Sequence, residues 1–149
     1  MVRPACFFEI LGAPNAADLV REYAEECSIP AIGPVNPQPA IYRALEQSGV
    51  MQCFAAFEDG AIVGFATVLC SVFPHYGRKV ATVESLFVAG AHRQSEAGRE
   101  LMAAIEQHAQ QVGAVGILYS APAGGKLERL LASKHAYRRT NTVFFRSLD

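Results

Sequence analysis

The stretch VAGAHRQSEAGREL, residues 88–101, decides how the chain is organised. Apolar residues end a strand, small residues and Arg93 form a tight loop, and a helix begins near Gly98. The first amide groups of a helix have no partner within it, and the helix dipole makes them attractive to anions. The stretch therefore indicates either a phosphate cradle or a plain helix start with Ser95 as its N-cap.

Glu96 lies in the part of this loop where a phosphate would bind. A carboxylate beside a phosphate repels it, although in a solvated loop the cost is only about 1 kcal/mol. The side chain can instead point outward while its backbone amide still serves the ligand. In the plain-cap interpretation, the same acid stabilises the first helical turn.

Composition bounds the class of protein. With 149 residues, 51% of them hydrophobic and 18% charged, we expect one globular domain over residues 1–149. A net charge of -1 disfavours nucleic acid as a partner. No apolar run approaches the roughly 20 residues of a membrane span. The four cysteines lack metal-ligand spacing, so we expect no metal site and free thiols in a reducing cytoplasm.

Residue patterns predict the order of secondary-structure elements. The Asp59-Gly60 pair between two apolar runs predicts a tight hairpin, because glycine accepts the positive φ of such turns. Antiparallel strands come first and a strand–helix–strand unit follows, so we predict an α/β (α+β) fold with a mixed sheet. The other predicted elements are strands at 5–11, 80–88, 115–120 and 140–147, and helices from the Asn15 cap to 27, at 40–47, 97–112 and 126–133.

The run LFVAGAHRQSEAGREL, residues 86–101, resembles the signature of the GNAT N-acetyltransferase superfamily. That signature is a strand, Arg or Gln, two residues, Gly, one residue, Gly or Ala, and a helix. Arg93 takes its first position and Gly98 its last, while Glu96 replaces the first glycine. The order of elements from Cys6 onward is also similar to the GNAT fold: a mixed, mostly antiparallel twisted sheet with helices on both faces.

The resemblance implies that acetyl-CoA is the co-substrate. In the family, the loop binds the pyrophosphate and the preceding strand pairs with the pantetheine arm. It implies these roles for a strand segment, Leu86, Phe87 and Val88, and for the loop residues Arg93, Gln94, Ser95, Glu96, Ala97, Gly98 and Arg99.

Glu84 is the candidate base for acetyl transfer, because GNAT enzymes often use a Glu on the strand before the loop. An acid in a mainly apolar strand is costly unless it is paired or faces a cleft. Alternation puts Glu84 on one face with Thr82, Leu86 and Val88. It would act as a general base through water or anchor a cationic amine; the alternative is a solvated or salt-bridged side chain.

Other site residues are less clearly defined. The family's usual tyrosine acid is missing, because Ala132 takes its position. Ser120 or Tyr137 could donate the proton instead, although a packed aromatic is the favoured interpretation of Tyr137. His75 and Tyr76 could shape the acceptor pocket or simply form a turn. The proline-rich loop at 30–39 would flank the acceptor site in this fold.

The sequence therefore predicts an N-acetyltransferase that moves an acetyl group from acetyl-CoA to an amine of a small molecule or protein. The alternative is a catalytically weak or inactive GNAT-fold module that binds CoA or regulates a partner, motivated by Glu96 and the missing tyrosine. Neither hypothesis involves nucleic acid or a membrane. Many family members are dimers, so a homodimer is also an expectation, although nothing in the chain identifies its interface.

Overall fold

The computed structural model describes residues 1–148 and contains one five-stranded sheet with helices on both faces. The strands are β1 Val2–Ala5, β2 Met51–Glu58, β3 Ala61–Phe73, β4 Arg78–Val88 and β5 Ile117–Tyr119. The helices are α1 Phe7–Leu11, α2 Ala16–Cys27, α3 Pro39–Gln47, α4 Ala97–Gln111 and α5 Lys126–Ala132, and a short 3₁₀ turn spans Gly90–His92.

The strands lie in sequence order across the sheet. β1 to β4 pair antiparallel, and β5 joins β4 in parallel. The prediction of a mixed, mostly antiparallel sheet is thereby confirmed. The predicted hairpin between β2 and β3 is confirmed too, because Asp59 (φ 48°) and Gly60 (φ 81°) both have the positive φ that a two-residue turn of this kind needs.

Two apolar cores lie on opposite faces of the sheet. On one face, α4 buries a stripe of small and branched side chains against the central strands: Ala97, Leu101, Ile105 and Ala109. On the other face, α1, α2 and α3 cover Phe65 and Phe87. The stripe on α4 has helical spacing, which is why the sequence predicts this helix well.

The prediction is wrong at the start of the chain. Residues 5–11 were expected to form a strand, but β1 ends at Ala5 and α1 begins at Phe7. Phe7 and Ile10 are buried at helical spacing. A short apolar run is compatible with either element, so periodicity alone does not separate a strand from a helix here.

The prediction is also wrong at the end of the chain, because residues 140–147 form no strand. Val143 and Phe144 are 88% and 89% exposed. β5, which forms one edge of the sheet, has only three residues. β-propensity needs a neighbouring strand and a packed face to take effect, and this segment has neither in the described residues.

Asn15 does not cap α2 with its side chain. Its amide group bonds both ways with the backbone of Ile62, donating to the carbonyl at 2.7 Å and accepting from the N–H at 3.3 Å. This fastens the start of α2 to β3. No helix within residues 1–148 combines the length and apolar character that a membrane crossing requires.

Candidate active site

A β-bulge in β4 sets the position of Glu84. Thr67 of β3 pairs with Ser85 and Val68 pairs with Val83, so Glu84 is an extra residue without a partner on β3. Alternation is broken there: Val83 faces the α4 core, whereas both Glu84 and Ser85 line a pocket on the opposite face. Bulges often re-aim a side chain in this way.

The face predicted for Glu84 is therefore wrong. Leu86 and Val88 pack against the α4 core, on the other side of the sheet from the Glu84 carboxylate. The alternation rule fails because one extra residue shifts the register by one position. Glu84 consequently faces the α1–α3 side, where a cavity lies.

The cavity that Glu84 lines has a volume of about 260 Å³. It lies between the sheet and the helices α1, α2 and α3, and part of the proline-rich loop, residues 35–37, closes one side. Its walls are mostly apolar; they include Phe7, Ile10, Leu11, Val20, Val35 and Phe65. A mainly apolar cavity with a few convergent polar groups has the general character of a small-molecule site.

Two hydroxyl groups hold the carboxylate of Glu84. Tyr42 of α3 donates to Oε1 at 3.1 Å, and Thr67 of β3 donates to Oε2. The Thr67 hydroxyl also lies 2.8 Å from that of Ser85. The ring of Tyr42 is itself fixed by stacking on Phe7, with centroids 3.7 Å apart. The carboxylate is thus oriented, while Glu84 as a residue remains exposed to the cavity.

Two tyrosines beside Glu84 are strongly held in the protonated form. Burial, and then the charge of Glu84, raises the pKa of Tyr23 to about 12. Burial also raises the pKa of Tyr42, with further contributions from the charge of Glu84 and from the hydrogen bond to it. Both phenols therefore remain neutral hydrogen-bond donors at physiological pH.

The edge of β4 beyond the bulge, called the slot below, has no strand partner among the described residues because the pairing with β5 is short. The two strands pair only from Ala81 to Val83 against Ile117 to Tyr119, whereas β4 continues to Val88. One edge of residues 84–88 thus has no strand partner within residues 1–148. An extended ligand with amide groups can pair with such an edge.

The N-terminus of α4 lies beyond the end of β4. The amides of Gly98 and Arg99 have no protein acceptor among the described residues. The Ser95 hydroxyl donates to the carbonyl of His92 at 2.6 Å and accepts from the Ala97 amide at 3.3 Å. Ser95 therefore satisfies one amide of the first turn, and those of Gly98 and Arg99 stay available to an anion.

Charged side chains of the loop are already paired. Glu96 forms an ion pair with Arg99, and both side chains are more than 60% exposed, at 66% and 69%. Arg93 is turned toward α2: it donates to Val88 O at 2.9 Å and to Glu26 at 2.7 Å. In this geometry Arg93 braces the loop, and its guanidinium does not extend from the loop alongside the free amides.

Ser120 and Tyr137 occupy different places. The register of β4 and β5 ends at Val83 and Tyr119, so Glu84 and Ser120 are the first residues past the pairing on the two strands. The Tyr137 hydroxyl instead donates to Glu106 of α4 at 2.6 Å. Burial, and then Glu106, raises the pKa of Tyr137 to about 12.

His75 and Tyr76 lie in the turn between β3 and β4, outside the lining of the cavity. Their rings meet edge to face at 4.9 Å, and Tyr76 is 69% exposed. The structure therefore does not bring this pair to Glu84. On each strand the turn is six residues from the bulge, from Thr67 to Phe73 and from Arg78 to Glu84, which is about 20 Å along a strand. These side chains therefore do not take part in the Glu84 cluster.

Sequence reasoning missed Tyr42 and Thr67. Tyr42 is 42 residues away from Glu84 in the chain, and no local pattern connects them. Thr67 carried a usable signal, because it is a polar residue inside the apolar run FATVL and its side chain is buried. A buried hydroxyl needs a partner, and here the partner is the candidate base.

Comparisons with known proteins identify the family of the chain. The model of the acetyltransferase (GNAT) family matches residues 17–138. This range includes α3, the bulge, the loop and nearly all of α2, and it begins after α1. The chain belongs to the GNAT acetyltransferase family. No curated protein matches the sequence.

Solved structures of GNAT acetyltransferases share the fold over 100% of this chain. An aminoglycoside N-acetyltransferase, AAC(6')-Iy in complex with CoA, has a TM-score of 0.72 at 16% identity, with 99% of its chain covered. A ribosomal-protein-alanine N-acetyltransferase from Brucella melitensis biovar Abortus 2308 has 0.72 at 18%, with 99% covered. A glucosamine-6-phosphate N-acetyltransferase from Arabidopsis thaliana has 0.73 at 12%, with 98% covered. These GNAT structures are similar in fold and differ in the acceptor that each name states.

Proposed function

We propose that this chain transfers the acetyl group of acetyl-CoA to an amine of a small molecule or protein, with Glu84 as the base. One observation carries the proposal. The bulge puts Glu84 at the point where β4 loses its β5 partner, so an oriented carboxylate, a cavity and a slot meet at one place. Membership of the GNAT family supports the same reaction.

The binding groups along the slot suit acetyl-CoA. The free amides of Gly98 and Arg99 and the dipole of the 15-residue helix α4 favour the pyrophosphate. A Cβ added to Gly98 would meet only Val88, at 3.7 Å, so the space beside this backbone is open. The unpaired edge of β4 from Leu86 to Val88 would bind the pantetheine amides.

Acetyl-CoA supplies an activated acyl group, whose C–S bond breaks as the C–N bond to the amine forms. Glu84 attracts the ammonium ion of the acceptor and takes one of its protons, which then passes to solvent. Thr67 and Tyr42 keep the carboxylate aimed into the cavity. A second proton from the nitrogen ends on the sulphur, so one proton is released overall.

Ser120 is the better placed of the two proposed proton donors. It directly follows the last residue of β5, just as Glu84 directly follows the last β4 residue that pairs with β5. The Tyr137 hydroxyl already uses its only hydrogen in the bond that it donates to Glu106. We propose that the Ser120 hydroxyl stabilises the departing sulphur and relays its proton.

A matched pair of variants tests the function. With acetyl-CoA and a panel of amines, Glu84→Gln is expected to lower kcat/KM by about 100-fold or more while acetyl-CoA affinity by calorimetry is retained. Glu25→Gln, an exposed change on α2, is the control and should match the unmodified protein. No binding of acetyl-CoA at millimolar concentration would overturn the proposal.

The binding-module alternative has its own signature. Glu96 in place of a glycine and Ala132 in place of the usual tyrosine favour it. It predicts acetyl-CoA binding without thiol release from any amine in the panel. Turnover that Glu84→Gln abolishes would exclude this alternative.

A further inference from the structure

We propose that the acceptor is a small amine with one positive charge and an apolar, preferably aromatic, body. This substrate class rests on the proposed function and on the cavity beside Glu84 being the acceptor site. Charge, wall chemistry and size of the cavity each point to it.

The charge of the cavity matches a single ammonium group. Among the described residues that line it, Glu84 is the one acidic side chain; the other polar groups are hydroxyls and the amide of Asn36. An ammonium ion removed from water needs a charged or strongly accepting partner. A second or third ammonium group of a polycation would have no carboxylate to meet inside this cavity.

The walls match an apolar, planar body. Tyr42 stacks on Phe7 with an angle of only 4° between the rings, which presents a rigid aromatic surface beside the carboxylate. Tyr23 packs edge to face on Phe65 at 5.4 Å, which fixes a second aromatic surface. Such preorganised rings favour an aromatic or aliphatic group through its apolar area and ring-edge contacts. A sugar with many hydroxyls would find few free partners there, because the hydroxyls of Tyr42, Thr67 and Ser85 already bond to Glu84 or to each other.

The size of the cavity also restricts the acceptor. Its volume of about 260 Å³ is at the small end of ligand pockets, which typically measure about 300 to 1,000 Å³. 2-Phenylethylamine, one ring with a short aminoalkyl chain, is of this size. An acceptor of several linked rings would extend out of a cavity of this volume.

Steady-state thiol release with four acceptors tests the substrate class. The acceptors are 2-phenylethylamine, spermidine, the aminoglycoside kanamycin and a short peptide that begins with alanine. We expect kcat/KM for 2-phenylethylamine to exceed each of the others by about tenfold or more, since an unpaired buried charge or polar group costs that much. The highest kcat/KM with any of the other three would overturn the proposal.

A charge-adding variant provides a second test. Val35, on the loop that closes the cavity, lines it without any charge. In Val35→Asp, the ratio of kcat/KM for putrescine, a dication, to that for 2-phenylethylamine should rise about tenfold, because the second ammonium gains a carboxylate. Val35→Asn adds polarity without charge and should leave the ratio near that of the unmodified protein. An unchanged ratio in Val35→Asp would contradict the assignment of this cavity to the acceptor.

The two proposals fail in different ways. If acetyl-CoA does not bind in calorimetry, the proposed function is overturned. The substrate class is overturned if acetyl-CoA binds but thiol release is absent with 2-phenylethylamine, or is fastest with a polycation or the peptide. In that case the proposal that the chain binds acetyl-CoA still stands. Binding and turnover are therefore measured on the same preparation.

Discussion

Glu96 is the residue at which the loop departs from its family, and its ion pair with Arg99 reduces the consequence. Both side chains are exposed, so the charge of Glu96 is screened by its partner and by solvent. The ion pair also holds the guanidinium of Arg99 against Glu96. Without this pair, Arg99 could add positive charge beside the free amides. The net effect on an anionic ligand should be unfavourable but small.

Removing this charge should tighten acetyl-CoA binding. We expect Glu96→Gln to raise the affinity by about two- to fivefold at low ionic strength and by less in high salt, because exposed charges are screened within a Debye length. Calorimetry at two salt concentrations measures it, with Glu25→Gln as the control. If Glu96→Gln had the same affinity as the unmodified protein in both salts, the Glu96 charge would not act on the ligand.

Thr67 is a positioning residue for Glu84. Thr67→Val removes the hydroxyl that donates to the carboxylate and keeps the branched shape. We expect kcat to fall by about tenfold with acetyl-CoA affinity unchanged, because a misaligned base loses rate and leaves ligand binding intact. Thr67→Ser restores the donor and should recover most of the rate. Equal losses in Val and Ser variants would indicate a packing role instead.

At the scale of elements, β3 and β4 approach closely where Gly64 faces the end of β4. A Cβ at Gly64 would lie 2.7 Å from the carbonyl oxygen of Phe87 and 3.2 Å from Leu101 of α4. The backbone of β4 would have to shift to remove this clash, at a cost in stability. The same glycine thus lets β4 and α4 come together beneath the slot.

Gly64→Ala should therefore destabilise the protein. We expect the free energy of unfolding to fall by about 2 kcal/mol, from overpacking against backbone. Gly98→Ala is the matched control, because its Cβ would make ordinary contact with Val88 in the first turn of α4. Denaturant unfolding measures both. If Gly64→Ala were as stable as Gly98→Ala, the close approach would not hold in solution.

Elements with strong local patterns were predictable, and those that depend on distant partners were not. α2, α4 and the Asp59-Gly60 hairpin follow from apolar spacing and turn chemistry. Residues 140–147 have strand composition, but no described strand lies beside them. Glu84 could be selected as an acid in an apolar strand, whereas its face depends on a bulge that only the pairing with β3 defines.

At the scale of the whole molecule, four of the five tyrosines lie in surroundings that disfavour ionisation. Burial raises the pKa of Tyr42 and of Tyr119, and raises that of Tyr23 and of Tyr137 to about 12. In the unfolded chain a tyrosine titrates at about pH 10. Between those values the unfolded chain releases protons that the folded protein keeps, so stability falls as the pH rises.

Alkaline titration should show this coupling. We expect phenolate absorbance in the folded protein to rise little at about pH 10, and Tm to drop between about pH 9 and about pH 11. Tyr23→Phe removes one late-titrating group, so its Tm should depend less steeply on pH over the same range. Ionisation of all five tyrosines at about pH 10 without unfolding would contradict the burial that the structure gives them.

The bulge at Glu84 also affects how this chain can be compared with its relatives. Side chains of a strand alternate between the two faces of the sheet. One additional residue therefore moves every later side chain of β4, up to the loop, to the opposite face. A relative whose β4 lacks the bulge would match this chain residue for residue only with a gap at Glu84. At identities of 12% to 18%, a gap placed one position away would equate cavity residues with residues of the opposite core. Equivalent residues are therefore better assigned by superposing the paired strands, starting from Thr67 and Ser85, than by sequence alignment alone.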